Sequence, residues 1–356
     1  MKLGLGLYRH QLDRDHFRFA RQCGCTHLVV HLVDYFRSSR NLPGDQPVGD
    51  DSGWGLAGDP NRLWTVEELT SLRQAIEAED LKLEAIENFD PAHWHDILLD
   101  GPLKPAQFEK IKTIIRNVGK AGIPIIGYNF SIAGVAGRVK GPFARGGAEA
   151  VGMDAPLDTP MTNGMAWNMV YDAHAPKGTV PSATPEQLWA RFDEFLREVI
   201  PVAEEAGVTL AAHPDDPPMP TVRSQPRLVY QPHLYQRLID THKSSRNALE
   251  FCVGTIVEMT EGDVYEALAD YSRQGRLAYV HMRNVRGKVP TYKETFIDEG
   301  DVDVRKALQI LHESGFEGVV IPDHAPQVTC AAPWHAGMAY ALGFLRACLK
   351  DLGRSP

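Results

Sequence analysis

The run Thr209-Leu210-Ala211-Ala212-His213-Pro214-Asp215-Asp216-Pro217-Pro218 decides how this chain folds. Its first half is short and apolar, which reads as a buried strand over 208–212. Pro214 has no N–H to give to a ladder, so the strand must stop near His213. His213 therefore stands at the carboxyl end of a strand, with two carboxylates directly behind it. Three later β-like runs end in the same way, on Cys252, His281 and Asp323.

Outward from this run, β-like and helical stretches alternate. Strands are expected at 2–7, 27–32, 81–87, 123–130, 208–212, 248–253, 277–282 and 318–322. Helices are expected at 13–23, 65–78, 184–206, 232–241, 301–315 and 336–352, and within 104–122 and 262–275. Thr65 and Glu68 fit a capping box, and Gly207 is a stop signal. Two polar segments rich in Gly and Pro, 37–62 and 131–182, read as long loops. A loop as long as the second is usually functional.

Eight strand–helix units without a composition break imply one domain over 1–356. The fold class is α/β, a (β/α)8 TIM barrel with long βα-loop insertions. An open doubly wound sheet would place G-x-G-x-x-G after the first strand. Here Gly4 and Gly6 fall inside that strand and no third Gly follows in register. No phosphate-cradling P-loop is found either.

The 356 residues are 43% hydrophobic, ample for a sizeable core. A net charge of −9, without long runs of one sign, disfavours nucleic acid or a membrane surface as partner. No apolar run approaches a membrane span, and residues 1–8 lack the features of a signal peptide. Five sparsely placed cysteines, Cys23, Cys25, Cys252, Cys330 and Cys348, argue against a disulfide framework and for a reducing cytoplasm. Cys23 and Cys25 lack the Cys-x-x-Cys redox spacing and read as small buried residues.

Barrel active sites lie at the carboxyl ends of the strands. His213, Cys252, His281 and Asp323 are separated by 39, 29 and 42 residues. Each gap is about one strand–helix unit, since a barrel of about 250 residues divides into units of about 31. Singly, each has an ordinary reading: a backbone-bonded imidazole, a buried thiol, a turn-capping carboxylate. Jointly they close strands five to eight at one rim and point to a metal site. Two imidazoles, a thiolate and a carboxylate suit Fe2+, Mn2+, Co2+ or Zn2+ better than Mg2+ or Ca2+.

Asp215 and Asp216 are expected to support the ligands or bind a loop arginine, although Asp before Pro is also a turn signal. Glu87 and Asn88 end strand three, Tyr128 and Asn129 end strand four, and His31 ends strand two. All are candidates for substrate-hydroxyl contacts. His324 follows Asp323 and can trade protons near neutral pH. Arg283 and Arg145 are candidates for gripping a substrate carboxylate, which Arg binds bidentately.

With these residues in hand, the chain resembles the mannonate dehydratases of the xylose-isomerase-like barrel superfamily. The carriers are His213-Pro214-Asp215-Asp216-Pro217-Pro218, Cys252 in Phe-Cys-Val-Gly-Thr, His281 in Val-His-Met-Arg-Asn-Val, Pro322-Asp323-His324 and Tyr128-Asn129-Phe130. The similarity covers nearly the whole chain. It implies that His213, Cys252, His281 and Asp323 bind Mn2+ or Fe2+, and that His324 is catalytic. It implies a hydro-lyase that dehydrates D-mannonate to 2-keto-3-deoxy-D-gluconate in hexuronate catabolism. A cytoplasmic homo-oligomer acting on a small sugar acid is expected.

Two stretches depart from the family. Ala325 and Pro326 follow His324 where Gly-Arg is expected, and 334–340 replaces a Tyr-rich segment. The second proton-transfer group is thus open between a Tyr and a second His such as His335. Another aldonic-acid dehydratase is an alternative. So is a sugar isomerase or epimerase, although Cys252 speaks against it because those sites hold their metal without Cys. A sugar-acid binder without turnover is a third alternative. A DNA-repair endonuclease on the same barrel is disfavoured by the acidic balance.

Overall fold

The computed structural model describes residues 1–38, 46–48 and 51–353. Its centre is a closed barrel of eight parallel strands: β1 (Lys2–Leu7), β2 (His27–His31), β3 (Lys82–Glu87), β4 (Ile125–Tyr128), β5 (Thr209–Ala212), β6 (Asn247–Cys252), β7 (Leu277–His281) and β8 (Val319–Ile321). Each strand pairs with its neighbours in sequence, and β1 closes on β8 with Lys2 opposite Val319. The expected strands at 123–130 and 318–322 are shorter than their apolar runs, because Pro124 and Pro322 flank the ladder.

Helices cover the barrel, among them Val66–Glu77, Lys104–Lys120 and Pro185–Ala206. Thr65 accepts from the Glu68 N–H while Glu68 reaches back to the Thr65 N–H, as the capping box requires. Gly207 ends the long helix at φ 71°, a left-handed conformation that a Cβ would strain. The main core lies between strands and helices. Phe192, Phe195 and Leu196 of Pro185–Ala206 are fully buried in it.

The inside of the barrel holds a separate small cluster: Val29, Ala85, Ile125, Ala211, Tyr279, Val319 and Ile321. Side chains alternate along a strand, so residues two apart share a face. Ala211 and His213, Tyr279 and His281, Ile321 and Asp323 thus point inward in successive layers. Glu250 occupies the layer directly below Cys252. The alternation also turns Tyr128 outward, onto Phe89 and Phe195, away from the mouth where it was expected.

The insertion after β4 is not the plain loop expected from 131–182. Strands Val139–Ala144 and Ala148–Met153 form an antiparallel ribbon. Their turn uses Gly146 and Gly147 at φ 70° and 74°. The ribbon joins a hairpin after β7, Val285–Lys288 and Thr291–Glu294, in one four-stranded sheet beside the mouth. Neither pair announces itself: Val-Lys-Gly-Pro-Phe-Ala carries Gly and Pro and is largely exposed. Of the first insertion, 39–45 and 49–50 lie outside the described residues. Further along it, Leu56 bridges to Val170 of the second insertion.

Candidate metal centre and active site

The ends of β5, β6 and β7 bring His213, Cys252 and His281 together, with one ligand atom from each within 4.8 Å of the others. Asp323 stands beside them. Its Oδ1 is 3.6 Å from His281 Nδ1, and its Oδ2 is 3.9 Å from Cys252 Sγ. His213 Nδ1 lies 2.7 Å from the Pro214 carbonyl, which fixes the ring and leaves Nε2 for another partner. Cys252 caps the short helix Val253–Glu258, its Sγ accepting from the Thr255 N–H at 3.4 Å. Burial opposes ionisation of this thiol. Arg283, with hydrogen bonds from His213 and His281, outweighs burial and brings it down to about 5.

Arg283 is the hub behind these groups. It is 1% exposed, and its guanidinium meets Glu294 at 2.6 Å, Glu258 at 3.0 Å, Asp216 at 3.1 Å and Asp323 at 3.5 Å. Those carboxylates surround it, and it is not among the residues that line the cavity. The expectation that Arg283 grips substrate gives way to a structural and electrostatic role. Asp215 and Asp216 both bind arginines, as expected. Asp215 meets Arg227 at 2.8 Å, and Asp216 meets Arg283. Burial raises the pKa of Asp216, but Arg283 and Arg138 overcome this and hold it at about 2.

The cavity at this site is lined by His213, His281, Asp323 and His324. Tyr8, His31, Tyr35, Glu87, Asn88 and Asn129 line it as well. His324 Nδ1 contacts Glu294 at 3.0 Å and its Nε2 contacts Asp323 at 3.2 Å. Burial would lower the His324 pKa, but these two carboxylates raise it. His31 Nδ1 is 3.1 Å from the Tyr35 hydroxyl, which also accepts from Asn88. Asn129 spends its amide on Pro214 and accepts from Trp167, so it shapes the wall as much as it faces substrate.

Two expected residues are elsewhere. Arg145 sits on the ribbon turn with its side chain 52% exposed, 3.3 Å from Asp298. It is not on the cavity wall; a charged residue in a glycine-rich turn has nothing to bury it. His335 packs against His16, Phe19 and Trp334, also away from the cavity. Tyr340 of the same helix donates to Asp298 and is exposed.

A family model for D-mannonate dehydratase (UxuA) matches residues 21–139 and 180–343. The chain belongs to the D-mannonate dehydratase family. Mannonate dehydratase of Streptococcus pneumoniae (strain 70585) is 28% identical over 320 residues, 83% of this chain and 86% of the relative. Mannonate dehydratase 2 of Halalkalibacterium halodurans is 28% identical over 279 residues, 75% of this chain and 80% of the relative. In fold, the chain resembles the crystal structure of mannonate dehydratase from Streptococcus suis serotype 2. That likeness has a TM-score of 0.72 and 23% identity over 100% of this chain and 95% of the other. It also resembles an L-ribulose 3-epimerase structure, with a TM-score of 0.59 and 15% identity over 98% and 95%.

The D-mannonate dehydratase family implies a divalent metal, and the residues present fit one. His281 Nδ1 is buried without a hydrogen-bond partner, as an atom awaiting an ion would be. The thiol is held near its charged form, which is the form that binds metal. In this family member, two residues escaped the sequence reading. Glu294 comes from the hairpin after β7 and orients His324. Arg138 comes from the start of the ribbon and is the one arginine or lysine on the cavity wall among the described residues. It is 6% exposed, and its nearest carboxylates, Asp216 and Glu294, are 3.5 and 4.0 Å away. With the Gln46 amide turned to suit its neighbours, the Gln46 oxygen accepts from Arg138 at 2.6 Å. Arg138 follows left-handed turns at Gly134 and Gly137, and nothing in the sequence around it marks it as a cavity residue.

Proposed function

We propose that the chain is a hydro-lyase that dehydrates D-mannonate to 2-keto-3-deoxy-D-gluconate. The observation that carries this reading is the meeting of His213, Cys252 and His281 beside His324, in a chain of the D-mannonate dehydratase family. The metal is Mn2+ or Fe2+, held by His213, Cys252, His281 and Asp323. A mixed sulfur and imidazole donor set supports these ions over Mg2+. A cation held there would supply Lewis acidity to the sugar acid.

The remaining work belongs to side chains. Carbon 2 must lose a proton, and the 3-hydroxyl must gain one to leave as water. Glu294 keeps a proton on His324 Nδ1, so Nε2 is the atom that exchanges protons with substrate. The second proton-transfer group comes from the same cavity lining, to which His31 and Tyr8 belong. Arg138 takes the role given to Arg283 and Arg145 on sequence grounds: its fork holds the substrate carboxylate. Buried aromatic neighbours, Trp54 and Trp167, keep water off that end of the cavity.

The test is incubation of the Mn2+-loaded protein with a panel of aldonic acids, scored for 2-keto-3-deoxy product. Product from D-mannonate, lost on chelation and restored by Mn2+ or Fe2+, is expected. Full turnover by metal-free protein, or a product that has not lost water, overturns the reading. A cytoplasmic homo-oligomer accompanies it. Five free cysteines support the compartment, and light scattering tests the assembly.

A further inference from the structure

One layer below the metal ligands, the barrel holds a group of polar side chains that the reaction does not use. Glu250 lies on β6 two residues before Cys252, fully buried, and Tyr279 lies on β7 two residues before His281, also fully buried. The Glu250 carboxylate oxygens and the Tyr279 hydroxyl have no good hydrogen bond. A buried carboxylate in this state is destabilising unless some other function retains it. A candidate metal ligand, His281, stands beside it. His281 Nε2 is 3.2 Å from Glu250 Oε1 and 3.5 Å from Glu87 Oε2, off the ideal line to either.

The two nitrogens of His281 thus face opposite ways. Nδ1 looks up to Asp323, at 3.6 Å, among the ligands. Nε2 looks down to Glu250. Gly127 on β4 makes room for this arrangement. A Cβ there would come 2.1 Å from the Tyr279 hydroxyl and 2.3 Å from Glu250 Oε2. Both polar groups therefore crowd over one glycine, which holds the carboxylate in place under the imidazole.

We propose that Glu250 is a positioning residue: it accepts the His281 Nε2 proton, fixes the ring, and presents Nδ1 to the metal. Ligating imidazoles are commonly held this way through their other nitrogen, and losing the holder weakens metal binding ~10–100-fold. The inference rests on the metal centre described above. It also reads Glu87, Glu250 and His281 as a hydrogen-bonded support, not as a second cation site, although their ligand atoms lie within 4.8 Å of one another.

Co2+ binding to the full chain tests this, read by the sulfur-to-metal absorption of Cys252 and by metal analysis. The wild type is expected to bind one Co2+ per chain with that absorption. Glu250→Gln is expected to stay folded by circular dichroism and to bind ~10–100-fold more weakly, with the absorption retained at saturation. Glu250→Asp, which keeps the charge but shortens its reach to His281, is expected to weaken binding severalfold and stands in if the first variant does not fold. Unchanged affinity in the folded variants overturns the proposal. So do two ions per wild-type chain with one lost in Glu250→Gln, since the carboxylates would then be ligands themselves. No sulfur absorption in the wild type would instead sink the metal centre, a separate failure.

Discussion

Cys252 Sγ lies 3.9 Å from Asp323 Oδ2, although the two residues end strands on either side of β7. Arg283 reaches both, at 3.8 Å from the sulfur and 3.5 Å from the carboxylate. One buried guanidinium therefore stabilises negative charge on two candidate ligands at once.

Cys252→Ser removes the soft, easily ionised donor and leaves a hydroxyl that stays protonated. Co2+ affinity is expected to fall by at least about 10-fold, the lower end for losing even a supporting partner. The sulfur absorption should vanish. A variant that binds Co2+ as tightly as the parent would remove the thiol from the metal centre.

Arg283→Met leaves Glu258, Asp216 and Glu294 buried without their shared cation. Breaking a buried ion pair from one side costs about 3–5 kcal/mol. Urea unfolding should report a loss of that order. Arg283→Lys keeps the charge but not the fork, and should recover only part of it. A change below about 1 kcal/mol in Arg283→Met would deny the hub its structural role.

Arg138→Met should raise KM for the sugar acid, with a smaller effect on kcat. A hydrogen bond to a charged group contributes about 1.5–3 kcal/mol, or roughly 10- to 100-fold. The melting temperature should fall less than in Arg283→Met, because the Arg138 contacts to Asp216 and Glu294 are longer. Unchanged KM would return the carboxylate-binding role to another residue.

His27, at the start of β2, is far from this chemistry. Burial first, then Lys2 and Lys82, push its imidazole down to about 4 from the ordinary 6.5. Its folded value lies below its unfolded one, so the unfolded chain binds more protons between those limits. Its contribution to stability is complete above pH 6.5 and is lost as pH falls toward 4. Melting temperatures measured across that window should decline, and His27→Gln should flatten part of the decline.

The barrel was legible because each strand is a short apolar run cut off by Pro, Gly or a polar residue. The candidate ligands were legible for the same reason. His213, Cys252, His281 and Asp323 each stand where a run stops, and one repeat separates each from the next. Arg138 was hidden, because it follows left-handed turns at Gly134 and Gly137 that carry no periodicity. Glu294 was hidden in a hairpin whose alternation spans only four residues. Arg283 illustrates a different limit. Its residue type suits an anion, but which anion it meets depends on Asp216, Glu258 and Glu294, from three separate segments. Arg145 shows the converse: a charged side chain in a loop reads alike whether it faces substrate or solvent.

The pairing of Tyr292 with Met153, and of Lys293 with Gly152, stitches the insertion after β4 to the hairpin after β7. Between the ribbon and the short strand at Met165–Ala166 runs a mostly exposed stretch, 154–160. A protease cutting there would sever the backbone while leaving both fragments anchored, one by the ribbon and β4, the other by the hairpin and β5. The nicked molecule should elute from gel filtration as a single particle and come apart only in denaturant.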